Sequence, residues 1–282
     1  MANVRMPAVA GTFYPDHPSV LREQITALFR HPLGPGHVPV VNPAGPRQLL
    51  GLVSPHAGYT YSGAVAAHAY AALAADGRPD VVVIVGPNHY GLGPAVSISL
   101  AEGWQTPLGT LPVAREVAEA LAAVLPWPAV GEVAHLREHS IEVQLPFLQF
   151  LYGDSVPLVA VSLADQGPEV VRELGRALAE VLDGRNAVLI ASTDLTHYQP
   201  QEIAVAQDRL ALAAILRFDA DQLLEVAVRR GTVCGPGAVA ATLVACRALG
   251  AVRASLLKHA TSGEAGGDTR HVVGYAALSL SK

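Results

Sequence analysis

Residues 81–85 read Val-Val-Val-Ile-Val, a continuous β-branched run with no polar alternation. Such a run suits a strand buried on both faces, the kind found in parallel sheets covered by helices. Ala187 to Ala191, apolar throughout, reads as another buried strand. Strands of this kind need helices on either side, and the chain supplies them. Ala64 to Ala75 is an Ala-rich helical segment, and Val170, Val171, Leu174, Ala177, Leu178, Val181 and Leu182 recur at helical spacing. Alternating strand and helix predicts one α/β domain over residues 1–282, with a central mixed or mostly parallel sheet flanked by helices.

Composition supports a large core. Of 282 residues, 51% are hydrophobic and 15% charged, which excludes a disordered chain. A net charge of -5 without a basic cluster argues against nucleic acid as a partner. The two cysteines, Cys234 and Cys246, give no disulfide framework. No apolar run approaches the roughly 18 residues a membrane helix needs. The first residues lack a basic region followed by an apolar one, so no signal peptide is expected and the default location is cytoplasmic.

Strands are expected at 49–54, 81–85, 96–100, 156–163, 187–191, 252–259 and 271–280. Helices are expected from Asp16 or Ser19, as cap, to Phe29, and at 62–75, 114–124, 139–152, 168–183, 203–217, 220–229 and from Pro236 to Leu249. Pro146 is expected to kink the fourth of these or start a second segment. Residues 31–48 read as a Pro- and Gly-rich surface loop, and Gly263 to Gly267 as a flexible hairpin connection.

Several chemistry-bearing residues fall at the ends of expected strands or the starts of helices. His56 lies in Ser54-Pro55-His56-Ala57-Gly58-Tyr59, and His89 in Gly86-Pro87-Asn88-His89. Asp194 and His197 follow a buried strand, and Cys234 opens a helix in Cys234-Gly235-Pro236-Gly237. Ligands bind at the carboxyl ends of strands in open α/β sheets. His139 and Glu142, three apart, are expected to share a helix face. Taken singly, each histidine reads as a hydrogen-bonded turn residue and Cys234 as a small buried hydrophobe. The helix that follows Cys234 is expected to lower its thiol pKa. His17, His31, His37, His68, His135, His259 and His271 read as surface or helix-face residues without a convergent partner, and Cys246 as core.

Six motifs occur in order: Ala8–Pro15, Pro55-His56-Ala57-Gly58-Tyr59, Gly86-Pro87-Asn88-His89, Glu138-His139-Ser140-Ile141-Glu142, Ser192-Thr193-Asp194 with His197, and Thr232-Val233-Cys234-Gly235. Together they resemble the Memo family, whose prokaryotic members are called AmmeMemoRadiSam system protein B. That family is similar in fold to the class III extradiol (LigB-like) dioxygenases. The resemblance implies His56, His89 and Cys234 as metal ligands, with His197, Asp194 and His139 as acid/base or pocket residues. Tyr59, Tyr61 and Glu142 are expected to line the pocket. The dioxygenases use two histidines and a carboxylate, whereas Cys234 stands here in the carboxylate's place. A thiolate is softer and pulls preference toward copper or zinc, with iron also accepted. The expected function is copper- or iron-dependent redox chemistry. The alternatives are an Fe(II) ring-cleaving dioxygenase and a non-enzymatic module for a small-molecule or peptide ligand. The family name also implies a functional link to AMMECR1-like and radical-SAM proteins.

Overall fold

A computed structural model describes residues 3–282. The chain begins with β1 (Val4–Arg5), α1 (Pro18–Arg30), β2 (Leu49–Ser54), α2 (Tyr59–Asp76) and β3 (Val81–Pro87). Three short strands follow, β4 (Val96–Ile98), β5 (Gly103–Thr106) and β6 (Gly109–Pro112), then α3 (Arg115–Val124) and α4 (Leu145–Tyr152). The second half runs β7 (Leu158–Leu163), α5 (Pro168–Leu182), β8 (Ala187–Ser192), β9 (His197–Gln199), α6 (Gln201–Leu216), α7 (Ala220–Arg230) and α8 (Pro236–Ala248). It closes with β10 (Arg253–Thr261), α9 (Ser262–Gly266) and β11 (Val272–Ser281).

The main sheet has strand order β10-β11-β2-β8-β3-β7-β4, with β9 added beside β11. β2, β8, β3 and β7 are parallel, while β11, β10 and β4 run against their neighbours, so the sheet is mixed. Every residue of β3 and β8 is buried, as their continuous apolar runs require. Each fully buried Val or Ile side chain contributes about 1.5–3 kcal/mol of transfer free energy, so this slab is the core of the molecule. α1, α2 and α4 pack on one face, and α5, α6, α7 and α8 on the other. Because β8 lies between β2 and β3, the carboxyl ends of three adjacent strands deliver His56, Asp194 and His89 to one place.

Some local expectations change. α1 is entered through His17 with no side-chain cap, and Pro18 fills the first turn, where its missing N–H costs nothing. The segment 139–152 is not one helix: a single 3-10 turn covers Glu142–Gln144, and α4 starts with Pro146 in its first turn. Residues 263–267 do not form a flexible connection; 263–266 lie in α9, which carries a capping box between Thr261 and Glu264 and ends at the left-handed Gly267. β5 and β6 form a hairpin with β1 alongside, a small sheet too short to show in the periodicity. Among the described residues, no helix is long and apolar enough to cross a membrane.

The N-terminal arm is locked into this frame. Arg5, almost fully buried, donates from Nε to the His135 carbonyl at 2.9 Å and from Nη2 to the Glu138 carbonyl at 2.6 Å. Its Nη1 pairs with the Glu142 carboxylate, and its guanidinium lies 4.6 Å from the centre of the Trp104 ring. Glu142 also accepts from the amides of Ala8 and Val9 and from the Tyr14 hydroxyl. A buried carboxylate with this many donors is satisfied only while the arm is in place.

Two substitutions test this packing. Arg5→Met leaves a buried carboxylate without its cation and is expected to cost about 3 kcal/mol or more in urea unfolding; a change below 1 kcal/mol would show that the arm is dispensable. Gly175→Ala in α5 sets helix propensity, worth about 0.5–1 kcal/mol in favour, against crowding. A Cβ there lies 2.6 Å from Val244 and 3.0 Å from the Ala241 carbonyl of α8. Overpacking costs about 1–3 kcal/mol, so net destabilisation is expected, and a raised urea midpoint would contradict the close α5–α8 contact.

Candidate metal centre

Three side chains converge at the carboxyl end of the sheet. His56, His89 and Cys234 each offer a donor atom, and these atoms lie within 4.8 Å of one another. His56 sits on the turn between β2 and α2 and is buried; its Nδ1 faces the Ser192 hydroxyl at 3.0 Å. That bond leaves Nε2 facing Cys234 Sγ, 3.2 Å away. Bond lengths near 2.0 and 2.3 Å at a tetrahedral angle put nitrogen and sulfur about 3.5 Å apart, so the spacing fits a shared ion after a shift of a few tenths of an ångström.

His89 is held by Glu138. The Glu138 carboxylate accepts from His89 Nδ1 at 2.9 Å and from the His89 amide at 2.6 Å. It also accepts from the amides of His139 and Ser140, both at 2.8 Å. A carboxylate hydrogen-bonded to one imidazole nitrogen fixes the tautomer that presents the other nitrogen to a metal. His89, Glu138 and His139 form a second group of possible donors within 4.8 Å. The four hydrogen bonds to Glu138 argue that it orients His89 and does not itself ligate. Glu138 carries one local mark of this role, an acidic residue directly before His139 in Glu138-His139-Ser140-Ile141-Glu142, but its partner His89 lies 49 positions away and is brought to it only by the fold.

Cys234 is carried by a tight turn between α7 and α8, pinned to the end of β8. The Val233 amide donates to Leu195 O at 3.2 Å, the Cys234 amide to Asp194 O at 3.2 Å, and the Gly235 amide to Thr193 Oγ1 at 2.9 Å. Val233 adopts φ 63°, a left-handed backbone that is strained for a β-branched residue. Such outliers persist where the surroundings over-determine them and cluster at functional sites. Gly235 permits the close approach, since a Cβ there would lie 2.8 Å from the Ser192 carbonyl.

Asp194 has a structural share in both arms. Its Oδ1 accepts from the His56 amide at 2.8 Å, and its own amide donates to Cys234 Sγ at 3.2 Å. Burial raises the Asp194 carboxyl to about 7, against the pull of the amides of His56 and Ala57. Burial, with the Asp194 charge, pushes the Cys234 thiol up to about 12. The expected lowering by the α8 terminus is therefore overridden by desolvation, and the protein without metal holds a neutral thiol. His56 is depressed by burial first and then by the neighbouring imidazoles of His139 and His89. Burial lowers His139 to about 4 and also depresses His197. Burial opposes ionisation of Glu138, but the His89 hydrogen bond and charge, the Ser140 amide and His139 outweigh it and hold the carboxyl at about 2.

A cleft of about 740 Å³ opens over these residues, lined by Phe13, His56, His89, His139, Asp194, His197 and Cys234 among others. His139 stacks on His89 with ring centres 4.6 Å apart and meets His56 edge-on at 5.4 Å. Phe13 of the N-terminal arm lies 4.7 Å from the His139 ring. His197 reaches the cleft from β9, whose pairing with Val273 of β11 sets its position.

Three expected pocket residues stand outside. Tyr59 is buried as the first residue of α2, and its hydroxyl donates to the Val143 carbonyl at 2.8 Å. Tyr61, half exposed, lies beside Gly266 of α9. Glu142 turns to Arg5 and the N-terminal arm, because residues 139–141 are not helical and no shared helix face with His139 exists. Two histidines read as unpartnered are also placed differently. His259 Nε2 lies 2.8 Å from the buried Asp208 carboxylate, and His135 is fully buried beside Trp104. Cys246 is core, its sulfur against Gly51 of β2.

The site can now be set beside other proteins. A family model described as Memo-like protein matches residues 5–279. A MEMO1 family protein of Methanopyrus kandleri is 48% identical over 277 residues, covering 97% of this chain and 98% of that one. A MEMO1 family protein of Thermotoga neapolitana is 45% identical over 281 residues, covering 99% of this chain and all of that one. A solved structure, an uncharacterized protein from Escherichia coli K12, superposes with a TM-score of 0.57 at 16% identity, covering 82% of this chain and 99% of that chain, and so shares its fold. With the family model spanning almost the whole chain and full-length relatives well above the level of chance, this chain belongs to the Memo family.

Proposed function

We propose that the chain is a metal-dependent redox protein that holds copper or iron on His56, His89 and Cys234. The observation that carries the reading is the convergence of His56 Nε2, His89 and Cys234 Sγ within 4.8 Å at the floor of an open cleft. Three protein donors with an open side describe a reactive centre; a closed fourth ligand would describe a structural one. A bound copper or iron would supply one-electron chemistry, and the thiolate, softer than a carboxylate, tunes that preference toward copper.

The remaining groups then have separate tasks. Glu138 fixes the His89 ring, and Ser192 fixes that of His56. Asp194 sets the backbone of the His56 turn and supports the Cys234 sulfur through its amide. His139 and His197 face the same cleft, and burial keeps both neutral near pH 7. Each therefore accepts a hydrogen bond from a ligand O–H or N–H in the cleft, and because burial takes His139 down to about 4, the proton-transfer role falls to His197. The cleft has the size of a site for a small organic ligand, which fits a small-molecule substrate better than a macromolecular one.

Anaerobic titration with Cu(I), Fe(II) and Zn(II) tests the ligand set. Cys234→Ser and His56→Ala are expected to weaken binding of the preferred metal at least 100-fold, on the order of one lost ligand. Glu138→Gln is expected to weaken it about 10–100-fold. His139→Gln is the control: a loss as large as that of Cys234→Ser would move the site to His89, Glu138 and His139. Oxygen uptake by the Fe(II)-loaded protein, dependent on an added catechol, would favour the ring-cleaving reading over the redox one.

A further inference from the structure

The cleft over Cys234 does not end at the proposed metal. A second groove, about 790 Å³, adjoins it, and both are lined by Gln166, Val228 and Pro236. We infer that this groove takes the apolar tail of an elongated ligand whose polar head lies at the metal centre. The inference rests on the metal reading above and adds a substrate class to it.

The boundary between the two spaces is a fixed rim. Gln166 donates from Nε2 to the Cys234 carbonyl at 3.0 Å and accepts the Gly237 amide on Oε1 at 2.8 Å. Its amide group is therefore satisfied and does not seek a ligand. A Cβ at Gly237 would lie 2.7 Å from the Gln166 side chain, so the start of α8 is pressed against this rim.

Beyond the rim most of the accessible lining surface is apolar, with paired charges among it. Leu224 forms a buried part of the lining, and Pro168, Val228 and Pro236 add further apolar surface. Val228 is 85% exposed although nothing in its position on α7 requires an apolar residue. It stands three residues before Gly231, whose left-handed backbone ends α7 and turns the chain toward Cys234. A single exposed apolar residue is ordinary, but one placed on the path from a reactive cleft into an apolar groove is not.

The charges in the groove decide what kind of ligand it suits. Arg172 pairs with Asp221 at 2.8 Å, and Arg229 with Glu225 at 2.6 Å. Both cations in the lining are thus matched by carboxylates of the same lining, and no net charge remains to hold an anionic or cationic tail. An alkyl or aryl chain gains by leaving water there, at about 0.8 kcal/mol for each methylene fully buried, whereas a charged tail would compete with pairs already made.

Zn(II)-loaded protein, which carries no redox chemistry of its own, provides the test by calorimetric titration with acetohydroxamate and octanohydroxamate. The two probes share a metal-binding head and differ in alkyl length. Octanohydroxamate is expected to bind at least about 10-fold more tightly, as a partly buried chain requires. Val228→Glu on α7 and Pro168→Glu on α5 replace exposed residues, so neither threatens the fold, and each is expected to bring the affinity ratio toward one. Equal affinity of the two probes, or a ratio unchanged in both variants, overturns the inference while leaving the metal reading intact. Failure of Cu(I), Fe(II) and Zn(II) alike to bind overturns the metal reading and this inference with it, whereas metal-loaded protein that binds neither hydroxamate overturns this inference alone. A concentration-dependent dimer that Val228→Glu dissociates in sedimentation would assign the groove to a second copy of the chain and overturn the inference as well.

Discussion

The carboxyl end of β8 holds the two arms of the site together. Residues 193–195 give their backbone and side chains to both neighbours: Asp194 Oδ1 to the His56 amide, Asp194 O to the Cys234 amide, Thr193 Oγ1 to the Gly235 amide, and Leu195 O to the Val233 amide. Without these bonds, His56 and Cys234 would be side chains on two independent loops. With them, the donor atoms keep a spacing close to the one a shared ion would require. Desolvation then sets the chemistry. It holds the thiol and the His56 and His139 imidazoles neutral, so three basic groups crowd together without repulsion.

Rigidity is supplied from both sides. On one side, Glu138 accepts four hydrogen bonds, from the amide and Nδ1 of His89 and the amides of His139 and Ser140, and so ties the two segments that carry these histidines. The second of these segments is itself fixed from beneath by Arg5, through the carbonyls of His135 and Glu138. On the other side, the strained Val233 backbone is held in place by its pairing to β8. The site thus stands on rigid elements with its second layer of contacts satisfied, the condition under which ligand geometry is kept to within a fraction of an ångström.

How much of this was legible follows from the range of each interaction. The buried strands were legible because β-branched runs such as Val81–Val85 are local signals, and the main helices because their apolar spacing is local too. The ordered motifs were enough to bring His56, His89 and Cys234 into one proposal. The failures have physical reasons. The sequence suggested that Tyr59, Tyr61 and Glu142 would face the pocket because they lie near pocket residues along the chain. Orientation, however, is set by which way α2 docks and by where the backbone between His139 and Glu142 stops short of helix. The thiol shift was misjudged because a helix terminus is a local feature and desolvation is a tertiary one. Gln166 carries no local mark at all; its role exists only through contact with residues about 70 positions away.

Those separations also bear on how the protein comes into being. The donors stand at positions 56, 89 and 234, and the frame that orients them joins residue 5 to residue 142. During synthesis, the emerging chain displays both histidines long before the cysteine leaves the ribosome. Two imidazoles on an unfinished sheet make a weak and unselective trap for metals. The central strand β8 and then the α7–α8 turn must be added before the third donor is in place. Completion of the three-donor pocket is thereby deferred to the finished molecule, and a truncated or half-folded chain lacks the arrangement that a complete one presents.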